Sequence, residues 1–189
     1  QFDETFGEAW RDKTFAGFVL FCVYARLRVG DASRINQEPT LDVSELGQGY
    51  IECGMLEHKT SYRNRARVRL PVAGSAVGVS GRNWAAKWLQ RRAYQGLTAT
   101  SRGHLTPAPG IDGTWSEKRL ATADCTVWLR ELLDRLGKLP NDRSTKIGSH
   151  SLKATLLSWA GKYGLPPATR RRLGGHVKPK DRSLIECSR

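Results

Sequence analysis

The chain reads as an α+β protein, mainly α-helical, with one small antiparallel β-sheet. Three observations carry that expectation. Apolar residues recur at helical spacing in several separate segments. Two short stretches alternate apolar and polar residues instead, with a basic run between them. A hydrophobic fraction of 39% with six Trp over 189 residues is enough to bury a real core.

The first helix is expected over Thr14 to Ile35, with Phe15, Phe18, Val19, Cys22 and Val23 on one stripe. Its end, ARLRVGDASRI, carries Arg26, Arg28 and Arg34. Arg26 and Arg34 read as solvated. Arg28 lies between Leu27 and Val29, so it is either a core-edge arginine paired with a carboxylate such as Asp31 or a phosphate ligand. A turn-rich linker through Pro39 and Gly47 follows. Ile51, Cys53 and Met55 then alternate with polar or small residues, as do Ala66, Val68 and Leu70. These are two antiparallel strands joined by a basic loop, His58 to Arg65, with Lys59 where the first strand gives way to it.

Asn83 to Gln95 forms an amphipathic helix with Trp84, Trp88 and Leu89 inward and Lys87, Arg91 and Arg92 outward. Gly96 to Trp115, with Pro107, Pro109, Gly110 and Gly113, reads as a long loop without regular structure, and nothing near His104 makes it a ligand or base. Helix resumes from about Ser116 to Leu136 on the stripe Leu120, Val127, Trp128, Leu132, Leu133 and Leu136, with Gly137 as its stop. Pro140 to Gly148 is a polar connector. Ser149 is the expected N-cap of a helix that buries Leu152, Leu156, Trp159, Ala160 and Tyr163 and ends at Gly164. Pro166 and Pro167 open a short helix, PPATRRRLGG, in which three consecutive arginines cannot share one face. The whole chain, residues 1 to 189, reads as a single domain. An opening without Met and a last segment, Asp181 to Arg189, that looks like the start of a helix mark it as truncated at both ends.

Charge narrows the partners. Lys and Arg number 31 against 18 Asp and Glu, a net charge of +13. A chain this basic is suited to a polyanion, most commonly nucleic acid. The longest apolar run, Phe15 to Ala25, is too short for a membrane span. Cys22, Cys53, Cys125 and Cys187 form no CxxC pair, which disfavours a zinc site or a disulfide framework and fits an intracellular compartment.

The chemistry gathers between Ser149 and the C-terminus. His150 and Lys153 are one turn apart at a helix start, where the dipole and unpaired N–H groups favour an anion. A surface-capping histidine is the plainer reading of His150 alone. Taken together, LRVGD with Arg28, EHKT with Lys59, HSLK with His150 and Lys153, and LGGH with His176 resemble the catalytic domain of the tyrosine recombinase (phage integrase) family. The order of the motifs and nearly the whole length take part, and SHSLKATLLSWAGKYGLPPATRRRLGGH is the most specific block.

The resemblance implies site-specific cleavage and rejoining of double-stranded DNA through a 3′-phosphotyrosyl intermediate, with no metal or other cofactor. It implies Arg28 and Lys153 as phosphate clamps, Lys59 as the acid that protonates the 5′-oxygen, and His150 and His176 as acid/base and hydrogen-bonding groups. It further implies a homo-tetramer on DNA, an N-terminal DNA-clamping domain in the full-length parent, and residence in the nucleus or nucleoid as part of a mobile element. Two departures stand out. Lys153 replaces the second arginine, giving a point charge instead of a bidentate fork. Cys187, in LIECSR, occupies the position that best fits the nucleophilic tyrosine. The expectation is therefore a chain that binds DNA and aligns a phosphate but cleaves poorly. The alternatives are a decayed or domesticated copy acting only as a DNA-binding module, and a basic RNA-binding or ribosome-associated domain whose motif matches arise by chance.

Overall fold

Apolar residues of α1 (Gly7–Tyr24) begin the core. A computed structural model of the chain describes residues 7–45, 48–56, 70–111, 113–137 and 146–174. Phe15, Phe18, Phe21 and Cys22 are at most 1% exposed, and Val23 is also buried. Phe15 stacks on Trp128 at 4.2 Å between ring centroids, Phe21 meets Trp88 at 5.4 Å, and Tyr24 stacks on Trp84 at 5.6 Å. One helix thus collects aromatic partners from two others.

α1 stops eleven residues short of the helix expected through Ile35. Leu27 N–H donates to Cys22 O at 2.9 Å and Arg26 N–H to Val23 O at 3.2 Å, the two bonds of a Schellman turn. Arg26 takes the left-handed position (φ 56) that glycine usually fills, and it is half-buried rather than solvated. The chain turns there and re-enters helix as α2 (Val29–Ala32).

The sheet has three antiparallel strands in the order β1 (Thr40–Val43), β2 (Gly49–Met55), β3 (Leu70–Ser75). β1 lies where a linker was expected. β2 matches the first alternating stretch, with Ile51, Cys53 and Met55 inward. Met55 pairs with Leu70 and Tyr50 with Ser75, so β3 extends from Leu70 past the second expected strand. Ala66, Val68 and the His58 to Arg65 loop lie outside the described residues.

α3 (Trp84–Tyr94) forms as expected, capped by Asn83, whose Oδ1 accepts from Ala86 N–H at 3.1 Å. Arg92 is a correction: it is buried, not outward. The long loop is also corrected. It holds α4 (Ala99–Arg102) and a hairpin of β4 (Pro107–Pro109) with β5 (Trp115–Arg119). β5 takes residues assigned to the following helix, so α5 is only Thr122–Arg135. Gly137 follows it at φ 57, as a helix stop should.

α6 (Ser149–Lys162) and α7 (Pro167–Leu173) complete the order. Gly148, not Ser149, caps α6, and Pro166 caps α7 with Pro167 inside its first turn. Tyr163 was expected in the core but is 87% exposed. It follows the last helical residue, beyond the part of α6 whose Leu152 and Leu156 reach the core. The buried cluster draws on α1, β2, β3, α3, α5 and α6. Among the described residues, no helix is long and apolar enough to cross a membrane, and Cys22, Cys53 and Cys125 are buried and in no disulfide.

Candidate phosphate-binding cleft

Arg28 is the residue that the end of α1 exists to place. It caps α2 in extended conformation (φ −74, ψ 143), and its carbonyl accepts from Asp31 N–H at 3.0 Å and Ala32 N–H at 2.9 Å. Its guanidinium Nη1 lies 3.6 Å from Asp31 Oδ2, with the arginine side chain 41% exposed. The carboxylate partner foreseen at Asp31 is therefore present. A pair this long and this open to water is worth under ~1 kcal/mol, so Asp31 orients the cation without sequestering it from a stronger anion.

The other wall comes from α5 and α6. Ser149 N–H donates to Thr126 Oγ1 at 3.3 Å, Gly148 N–H to Ser151 Oγ at 3.3 Å, and Arg130 Nε to Ile147 O at 2.8 Å. The first and third of these bonds pin the start of α6 against α5, and the second closes its first turn. α2 packs on both helices.

The result is a cleft of about 360 Å³ lined by Arg28, Asp31, Arg34, Thr122, Ser149 and His150, together with Val29 and Gly30. His150 is exposed in the first turn of α6, and Thr122 is the first residue of α5. Two helices of 14 residues each thus start at one opening. Their aligned peptide dipoles favour negative charge there. Two arginines and an imidazole face one carboxylate. The arrangement suits a phosphate or phosphodiester oxygen, and bidentate capture by a guanidinium is the geometry arginine supplies best.

Of the residues singled out in the sequence, Arg28 and His150 meet in this cleft although they are far apart in the chain. Lys153 stands one turn further along α6, half-buried, and is not part of the cleft lining. Lys59, His176 and Cys187 lie outside the described residues. Arg34 and Thr122 were missed. In sequence Arg34 reads as a solvated charge, and only the short α2 turns it back beside Arg28. Thr122 carries the polar start of a helix whose beginning was placed too early. The signal for Thr122 is the Thr-Ala-Asp run, a helix-start composition that lies inside a longer apolar stripe. No protein-family model matches the chain, and no curated protein does.

Proposed function

We propose that the chain is a DNA-binding domain of the tyrosine recombinase kind, which holds a phosphodiester of double-stranded DNA in the Arg28–His150 cleft but cleaves it poorly. The observation that carries this reading is the meeting of Arg28 and His150 at the shared opening of α5 and α6. A basic RNA-binding domain with chance motifs gives no reason for those two residues to converge.

In the proposed reaction, a nucleophile attacks the phosphorus, the bond to the 5′-oxygen breaks, and that oxygen leaves with a proton from Lys59. Arg28 and Lys153 offset the added charge on the non-bridging oxygens, while His150 and His176 donate to them or relay protons. Cys187 stands for the tyrosine. Its shorter side chain brings sulfur, not a phenolic oxygen, toward the phosphorus, and a misplacement of ~1 Å can cost 10²-fold. Assembly as a homo-tetramer on two DNA sites, in the nucleus or nucleoid where that DNA resides, belongs to the same proposal.

A nicked suicide duplex, which traps covalent protein–DNA adducts, tests it. The chain as it stands should retain duplex binding and give little adduct, whereas Cys187→Tyr should raise adduct formation, and adding Arg28→Ala should lower that gain by about 10²–10³ in rate. Abundant adduct with Cys187 in place would sink the impaired-cleavage reading. Absence of duplex binding would sink the proposal itself.

A further inference from the structure

The outward face of α3 carries a second surface of different composition. Lys87, Gln90, Arg91 and Tyr94 fall at i, i+3, i+4 and i+7, so they share one stripe. Trp10 of α1 closes that stripe into a shallow pocket of about 250 Å³. Its ring stacks on Tyr94 at 5.5 Å between centroids and 22° between planes. Lys13 Nζ sits 5.8 Å from the Trp10 ring. No carboxylate is among the described residues that line the pocket.

Two features make this more than an ordinary basic helix face. Tyr94 is 76% exposed although it is already half of an aromatic stack, so the stack presents a face to water. The core of α3 is satisfied elsewhere: Trp84 and Trp88 are buried on a face about a quarter turn around the helix. An open aromatic face beside Lys13, Lys87 and Arg91 matches how proteins hold unpaired nucleic-acid strands, with bases stacked on rings and phosphates following cations. A lipid surface would require a broader apolar face than two rings, and a duplex hides its base faces in its own stack.

We infer that Trp10 and Tyr94, with Lys13, Lys87 and Arg91 around them, form a stacking platform for an unpaired nucleobase of single-stranded nucleic acid. The platform is distinct from the Arg28 cleft. Trp10 and Tyr24 are separated by about 20 Å of helix, and Arg28 follows the Tyr24 end. The inference goes beyond the duplex-binding proposal and draws on none of its residues.

Its defining property is dependence on bases as well as on phosphates. Fluorescence anisotropy would compare a labelled oligothymidylate with an abasic strand of equal length and equal phosphate count. The full chain should bind the oligothymidylate more tightly. Tyr94→Ala should weaken that binding roughly 5- to 150-fold, the range for loss of one base–aromatic stack, and leave abasic-strand binding unchanged. Tyr94→Phe keeps the ring and should keep the affinity. Trp10→Phe should likewise lose less than Trp10→Ala, which separates stacking from misfolding. Equal affinity for the two strands would reduce the surface to a general polyanion patch and overturn the inference. So would concentration-dependent self-association removed by Tyr94→Ala, which would assign the aromatic face to a second copy of the chain.

Discussion

Arg92 carries a positive charge at 1% exposure, in a chain that has many cations it could have left in water. Helical geometry decides its place. At 3.6 residues per turn Arg92 lies about 40° from Trp88, within the buried face of α3. Its Nε and Nη2 reach Glu38 Oε1 and Oε2, each at 3.1 Å, and Nη1 donates to Leu105 O. Glu38 Oε2 also accepts from Ala99 N–H at 2.6 Å. The bidentate pair therefore ties α3 to the segments before β1 and around α4. Reading Arg92 as outward followed residue type, where the angle would have placed it correctly; nothing in the sequence pointed to Glu38 as its partner. Glu38→Ala leaves the guanidinium buried without its carboxylate and orphans Ala99 N–H. The expected cost is about 3 kcal/mol, toward the low end for one-sided removal of a buried pair because Glu38 keeps some water access. For a chain of this size that is a melting-temperature drop of roughly 6–12 °C. A drop of under a degree by calorimetry would show that Arg92 finds other partners.

At the scale of elements, periodicity located helices well and their ends poorly. α3 appears where its apolar stripe puts it. α1 ends at Tyr24 because a left-handed Arg26 closes it, and an arginine gives no such signal in sequence where glycine would have. Val127 was placed on the buried stripe of α5 but is 54% exposed. The true face centres on Cys125 and Leu129, and a cysteine behaves there as a small apolar residue. The β4–β5 hairpin escaped notice because Pro107 and Pro109 argue against a strand, and a short two-stranded ribbon tolerates them at an edge. Contact between α1 and α3 depends on Gly17. A Cβ there would lie 2.1 Å from Trp88 Cδ1, and Trp88 is buried at 1% exposure. Gly17→Ala should therefore destabilise by about 2 kcal/mol, because overpacking outweighs the ~1 kcal/mol that alanine gains over glycine in a helix. Gly161→Ala is the control. Its Cβ would meet the movable end of Arg170 at 2.9 Å, so the helical gain should prevail and stability should hold or rise slightly. The urea midpoint should fall for Gly17→Ala and hold or rise for Gly161→Ala. An unchanged or raised midpoint for Gly17→Ala would mean that Trp88 is not the obstacle.

For the whole molecule, the mixed helix-and-sheet class was legible because it rests on long apolar stripes and one alternating segment. The cleft was legible only in part. Arg28 and His150 stand out by motif, but Arg34 and Thr122 join them only through the turn after Tyr24 and the packing of α2 on α5 and α6. The net charge of +13 acts at this scale, since it concerns the summed field and not any single pair. If duplex DNA binds mainly through its phosphates, each contact releases condensed counterions, and the logarithm of affinity falls linearly with the logarithm of salt. With about six phosphates engaged, affinity should drop at least ~10³-fold between about 50 and 200 mM salt. Arg28→Ala should weaken duplex binding modestly and flatten that slope by about one phosphate contact, uniformly across DNA sequences. Salt titrations of the parent and Arg28→Ala chains on two unrelated duplexes would measure both effects. Two lines of equal slope would place Arg28 away from the DNA backbone, and the cleft would lose its proposed ligand. A slope near zero in both would mean that the field of the whole chain attracts something other than a phosphate polymer.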